Sequence, residues 1–444
     1  MTPRTQGADS FHQPFYRVWS WWGNLSSIAR LSLRREFAAI IPLTALMGVM
    51  HLQFCGFVGL KALEMTKGQL LIFMVCIFPG FLLAGPLTGY FQSVRKMRVL
   101  SIVLVGVAAV LFTITLTPTQ NGSAGVYIFM SQIFLAQIGM AMVFTMRTAI
   151  WRANYPFQHR GKIVVLIELF LSVGSSLAIL IYTGYLDKYP SLPFQSIYVV
   201  GAFCALISAW LFSRIRLRRE KIHLRSIKGN PVIKIKLLAG LAVLRKDTKF
   251  RNFMSWQMLN GFSTMLIDFG VLAVIMVDVF DSNWTEGGAA LVAIPLIATG
   301  LSSLLWARYF DRRTIYTIRF YAALTWTLSR LILIAAIYHH SILIVLISRI
   351  IAGVAMGGGK LAWRLGHMQF APPDQDLVYM GAHVSLTGLR GLLAPVVGIL
   401  LYQLECNFFG SSGMYLIALS AVGLFTAALA FRHMRPKTVP QDLA

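Results

Sequence analysis

Ionisable side chains are costly within a bilayer core and normally face a polar cavity or a partner there. Five in this chain, Glu168, Asp268, Arg330, Arg349 and Arg390, fall within apolar runs long enough to cross one. In HVSLTGLRGLLAPVVGILLY (383–402), His383, Thr387 and Arg390 step by four and three residues, which puts them on one face of a helix. Gln257, Asn260, Thr264 and Asp268 form a similar stripe, as do Glu168, Ser172 and Ser175. Thr44 and His51 share a face, with Gln53 nearly opposite. Polar stripes turned inward on several helices would enclose a hydrated path.

The chemistry on offer is binding rather than bond making. At about 1.5 Å per residue, Arg390 lies near the middle of a core about 30 Å thick. Its planar, permanently charged fork has two readings there. It is either a fixed cation facing the path, suited to a carboxylate or phosphate, or an arginine satisfied by helix-end carbonyls and polar neighbours. Asp268 and Arg349 come out at similar depths, so an ion pair between them is expected, as a clamp or as a gate. Glu168 is the candidate proton-coupling carboxyl; the alternative is an acid paired with a basic loop residue such as Arg152. His51 and His383 are hydrogen-bonding residues of the path, with metal binding as the less favoured reading. Arg330 has no partner visible in the sequence.

Enzymatic signatures are missing from the sequence. It has no HExxH, no clustered carboxylates and no nucleophile–base pair. The glycines of VAMGGGKLAW do not make a GxxxxGK[ST] phosphate loop and read instead as close helix packing. Cys55, Cys76, Cys204 and Cys406 show no CxxC spacing, so neither a disulfide framework nor a zinc site is implied. No cofactor is expected.

The elements that position these residues follow from composition. With 57% hydrophobic and only 13% charged residues, the 444-residue chain reads as an all-α integral membrane protein. Twelve spans are placed at about 37–60, 70–91, 99–117, 126–146, 163–184, 195–213, 252–279, 288–307, 315–338, 342–359, 378–402 and 412–431. This gives an N-terminal arm (1–36), a six-helix bundle (37–213), a basic central loop (214–251), a second six-helix bundle (252–431) and a tail (432–444). The first span lacks a small-residue cleavage site and is expected to remain as a span rather than act as a signal peptide.

The net charge of +24 would suit a nucleic-acid partner, but its placement excludes that reading. Of 40 Lys and Arg, 34 lie in the arm, the tail and alternate connections, with Arg319 at the edge of the ninth span counted with the loop it flanks. This asymmetry is the positive-inside pattern, and it puts both termini and the central loop in the cytoplasm, with a bacterial inner (cell) membrane as the expected location. The tryptophans and arginines of the arm suit the membrane interface, as do Lys360, Trp363 and Arg364.

The two halves echo each other. AIWRANYP after the fourth span resembles LAWRLGHM after the tenth, Trp151 matching Trp363, and MTKGQLLIF resembles WTEGGAALV, Thr66 matching Thr285. Duplicated six-helix units are a feature of secondary transporters.

ARYFDRR (307–313) is similar to the Gly-x-x-x-Asp-Arg loop motif of the major facilitator superfamily, with Ala307 in the glycine place and Asp311, Arg312 and Arg313 matching. The first copy, GPLTGYFQSVRK (85–96), keeps Gly85, Arg95 and Lys96 but has Gly89 and Tyr90 in the Asp-Arg places. NYPFQHRGK (154–162) resembles the family's loop after helix four. The resemblance covers residues 37 to 432. It implies two bundles rocking about a midplane site, a small-molecule substrate, a cytoplasmic gate at Gly85, Asp311, Arg312 and Arg313, and no nucleic acid. Monomers in the lipid bilayer are expected, with protons or another ion as coupling partner.

Overall fold

The computed structural model describes residues 25–76, 78, 95–119, 122–218, 220, 224, 239–310, 313–372, 376–410 and 412–435. Their regular structure is helical, and no strand occurs among the described residues. Helices satisfy every backbone donor and acceptor within the segment, which a bilayer core demands. Among the described residues, ten helices are long and apolar enough to span a membrane, and a bent pair adds an eleventh.

Helix α1 (Ser27–Val49) starts inside the expected N-terminal arm, because Ser26 caps it by accepting from the Ala29 amide at 3.3 Å. The chain then bends by 44° into α2 (Leu52–Ala62), with His51 at the break. Helix α3 (Lys67–Cys76) opens the second span, most of whose continuation lies outside the described residues. Helices α4 (Lys96–Thr113), α5 (Ser123–Asn154), α6 (Phe157–Lys188) and α7 (Gln195–Ser213) complete the first bundle. Helix α5 runs past its expected end at residue 146; Pro156 then holds Tyr155 extended and separates α5 from α6.

A short helix, α8 (Ala239–Lys246), leads into the second bundle. The seventh span is not one helix but two, α9 (Thr248–Asp268) and α10 (Val271–Asp278). Gly270 sits between them at φ +113, a conformation open to glycine and strained for other residues. Helix α11 (Trp284–Gly288) passes through a π-helical turn (Ala289–Ala293) into α12 (Ile294–Phe310). Helices α13 (Ile315–Tyr338), α14 (Ile342–Leu365), α15 (Asp376–Phe409) and α16 (Met414–His433) follow. This order is consistent with twelve spans.

The start of α1 meets the end of α7, where Arg35 donates to the Arg214 carbonyl at 2.9 Å. The start of α9 meets the end of α16 through Phe253 and Phe431, centroids 5.8 Å apart. Across the bundles α2 packs on α10. The chain therefore enters and leaves both bundles at one end, and α2, α10 and α11 meet at the opposite, distal end.

Candidate functional site

Asp268, at the end of α9, lies between two arginines. Arg330 Nη2 is 2.7 Å from its Oδ2 and Arg349 Nη1 is 2.9 Å from its Oδ1. Both arginine side chains are 0% exposed and the carboxylate 4%. Arg330 also donates to the Thr264 carbonyl at 3.2 Å, and Arg349 to the Ala290 carbonyl in the π-helical turn at 3.0 Å. The trio thus ties α9, α13, α14 and the start of α12 together through charge-assisted bonds. The Asp268 and Arg349 side chains meet; Arg330, partnerless in the sequence, is the second cation on the same carboxylate.

Arg390 requires a correction to the expectation that it faces the path between the bundles. Its guanidinium lies inside the C-terminal bundle over Gly261, where an added Cβ would come within 2.1 Å of Nη1, and it donates to the Gln257 carbonyl at 3.1 Å. The reason is helix phase. Gly391, one residue on, is the position turned to the N-terminal bundle, since a Cβ there would meet Phe78 at 2.2 Å. On α9, Asp268 turns to Arg330 and Arg349, Gln257 and Asn260 are buried, and Thr264 Oγ1 donates to the Asn260 carbonyl at 2.8 Å. His383 is fully buried against the Trp363 ring, centroids 5.5 Å apart. Trp363 Nε1 donates to Thr387 Oγ1 at 3.2 Å, so it joins the C-terminal bundle in place of simple interface anchoring.

The seam between the bundles is shut at the distal end. Gln53 of α2 donates to the Asp268 carbonyl at 2.5 Å, and Lys61 donates to the Ser282 carbonyl. Lys67 pairs with Asp278 at 2.7 Å. Asp187 accepts from the Trp284 and Thr285 amides at 2.9 and 2.7 Å. Gly287 lets the backbone approach the Phe57 ring, which a Cβ would meet at 2.2 Å.

Toward the terminus-bearing end the same seam holds a cleft. Glu168 and Ser172 of α6 line it from the N-terminal bundle, and Thr299 and Ser303 of α12 and Lys360 of α14 line it from the C-terminal bundle. An acid and a base from opposite bundles therefore share one cleft. Lys360, read from the sequence as an interface anchor, is a cleft residue. His51, at the α1–α2 break, is within electrostatic reach of Lys360 and Arg349. No cluster of three or more metal-ligating side chains occurs among the described residues.

Sequence reasoning missed several buried charged side chains, Glu36, Arg147 and Arg319 among them. Glu36 is fully buried, accepts from Trp151 Nε1 at 2.9 Å and from the Tyr155 hydroxyl, and stands 3.6 Å from Arg147 Nη2. Burial first, and then Glu36, push the Tyr155 phenol well above its usual range, so it stays a neutral donor. The available signal was spacing, since Arg147, Trp151 and Tyr155 follow at i, i+4 and i+8 on the continuation of α5. Arg319, counted with a flanking loop, is only 4% exposed within α13. Of the expected gate, Gly85, Asp311 and Arg312 lie outside the described residues, as do most of the central loop and the tryptophans of the arm. Arg313 stacks over Tyr309, 5.9 Å from the ring centroid.

The Major Facilitator Superfamily model matches residues 37–395. The chain belongs to the major facilitator superfamily. Its fold is similar to that of the nucleoside transporter NupG (D323A mutant), with 14% identity and a TM-score of 0.69 over 92% of this chain and all of that one. It is also similar to the xylose transporter XylE from E. coli in a partially occluded inward-open conformation, again at 14% identity, with a TM-score of 0.65 over 93% of this chain and all of that one. No curated protein matches the sequence. Family members are membrane transporters, which places the buried charges and the inter-bundle cleft in a known architectural setting.

Proposed function

We propose that this protein is a secondary active transporter that carries a small organic anion across the cell membrane by alternating access. The observation that supports this most is the asymmetry of the seam. It is held shut distally by cross-bundle bonds, while a cleft with one wall from each bundle lies toward the termini. A site whose walls belong to two bodies is remade when those bodies rock, which is what coupling transport to conformational change requires.

In this reading Lys360 and His51 supply the donors for an anionic group, and Glu168 is the coupling carboxyl. The positive-inside pattern puts the termini, and with them the cleft, on the cytoplasmic side. The state described is then the one closed to the outside, and the Asp268 trio is the clamp that holds the α9–α10 break. The fold shared with NupG and XylE supports transport; their solutes remain theirs. The rival reading is a receptor or scaffold with the same fold, favoured by the loss of the Asp-Arg pair at Gly89 and Tyr90.

Cysteines at Lys67 and Asp278, joined by a short bis-thiol reagent in a background without native cysteines, test the mechanism. Uptake into proteoliposomes should stop on cross-linking and return on reduction. Uptake that continues after complete cross-linking rejects rocking about this seam.

A further inference from the structure

Two of the arginines buried in the C-terminal bundle stand outside the Asp268 trio. Arg319 and Arg390 are 4% and 6% exposed, and no ion pair among the described residues includes either. Ile318, beside Arg319, and Ala382, beside His383, belong to one buried apolar cluster, and both arginines act electrostatically on His383. Among the described residues, the nearby carboxylates of α9 and its cap are committed elsewhere. Asp268 is held by Arg330 and Arg349, and Asp247 accepts from Tyr379 and the Phe250 amide. Arg390 has one bond, to the Gln257 carbonyl. Arg319 Nε and Nη2, Arg390 Nε and both His383 ring nitrogens are buried with no hydrogen-bond partner.

Buried donors are normally satisfied, and a buried cation normally has a counter-charge. Here, among the described residues, two forks lack a counter-charge and, with an imidazole, leave five buried nitrogens unbonded, while the neighbouring trio shows that the bundle supplies a carboxylate where one is needed. Two guanidiniums are suited to an oxyanion, since each can give parallel N–H bonds to its oxygens. The half-buried Trp363 and Thr387 bridge α14 and α15 beside His383.

We infer that Arg319, Arg390 and His383 form a binding site for a small oxyanion, a carboxylate or phosphate group, inside the C-terminal bundle. The site is separate from the Glu168–Lys360 cleft and does not depend on which solute crosses there. Occupied, it neutralises the charge between α9, α13 and α15; empty, it leaves these helices repelling one another.

The test is thermal unfolding of the purified full-length protein in detergent, titrated with sodium phosphate or sodium acetate against sodium chloride at equal ionic strength. Ligand that binds only the folded state raises Tm with saturation. The inference expects a saturable rise of several degrees with phosphate, acetate or both, the effective salt naming the source of the group. The rise should vanish in Arg319→Gln and in Arg390→Gln and persist in Lys360→Gln. With neither phosphate nor acetate present, Arg319→Gln should be at least as stable as wild type, because it relieves the repulsion, and less stable than wild type once oxyanion saturates. No saturable rise with either salt, or a rise that survives both arginine variants, overturns the site. A rise lost only in Lys360→Gln would place the anion in the cleft and also overturns it. Failure of uptake assays with the oxyanion effect intact would reject the transport reading and leave this site standing.

Discussion

Asp268→Asn removes one negative charge from between two fully buried guanidiniums at 2.7 and 2.9 Å and leaves the volume almost unchanged. Breaking a buried ion pair by deleting one partner costs about 3–5 kcal/mol, chiefly because the remaining charge is left uncompensated. Two charges are stranded here, which puts the loss at the upper end of that range. At about 2–4 °C per kcal/mol for domains of 150–250 residues, Tm should fall by about 10 °C or more. Arg330→Met and Arg349→Met are different, because each leaves Asp268 bonded to the other arginine. Each should cost less than half as much, and the double variant Asp268→Asn/Arg330→Met should recover part of the loss. The assay is a melting curve followed by size-exclusion chromatography of the detergent-solubilised variants. An Asp268→Asn protein within about 2 °C of wild type, or one more stable than either arginine variant, would refute the clamp.

The remaining expectations are shorter. Glu36→Gln keeps an acceptor for Trp151 and Tyr155 but strands Arg147 in the N-terminal bundle, so Tm should fall by a similar mechanism, about 3 kcal/mol by the same rule. Lys67→Ala should change Tm by no more than about 1 kcal/mol equivalent, since the Lys67–Asp278 pair is about one-third exposed. The same variant should increase labelling of cysteines placed along the distal seam. Gly391→Ala, whose Cβ would meet the Phe78 ring at 2.2 Å, should slow transport by forcing α15 away from the N-terminal bundle while leaving each bundle folded. Glu168→Gln should abolish pH-driven uptake and spare exchange of solute for solute; equal loss of both would remove Glu168 from the coupling role.

Much of the fold could be read in the sequence because bilayer thickness fixes span length. What escaped was local. The break at Phe269–Gly270 lies within one expected span, and the backbone geometry at Gly270, with Gln53 bonded to the Asp268 carbonyl, makes it visible. Span edges were set by hydropathy, which left Glu36 and Arg147 outside the spans and Arg319 at a span's edge, although helix continuation and packing bury all three within the protein. The polar stripes on α9 and α15 were correctly read as faces, but helical phase alone does not say which neighbour a face meets. The structure turns Asp268 and Arg390 into the C-terminal bundle. Lys360 shows the converse, since an interface lysine and a cleft lysine look alike until the opposite bundle brings Glu168 alongside.

The measurement that bears most directly on the transport reading is counterflow in proteoliposomes. Vesicles loaded with one unlabelled organic anion from a panel would receive the labelled compound outside, with wild type and Lys360→Gln compared. The account predicts that at least one anion accumulates transiently and saturably in wild-type vesicles and that the accumulation is lost in Lys360→Gln. Labelled anion that never exceeds the level in protein-free vesicles for any member of the panel, with the reconstituted protein still giving its native melting curve, would contradict it.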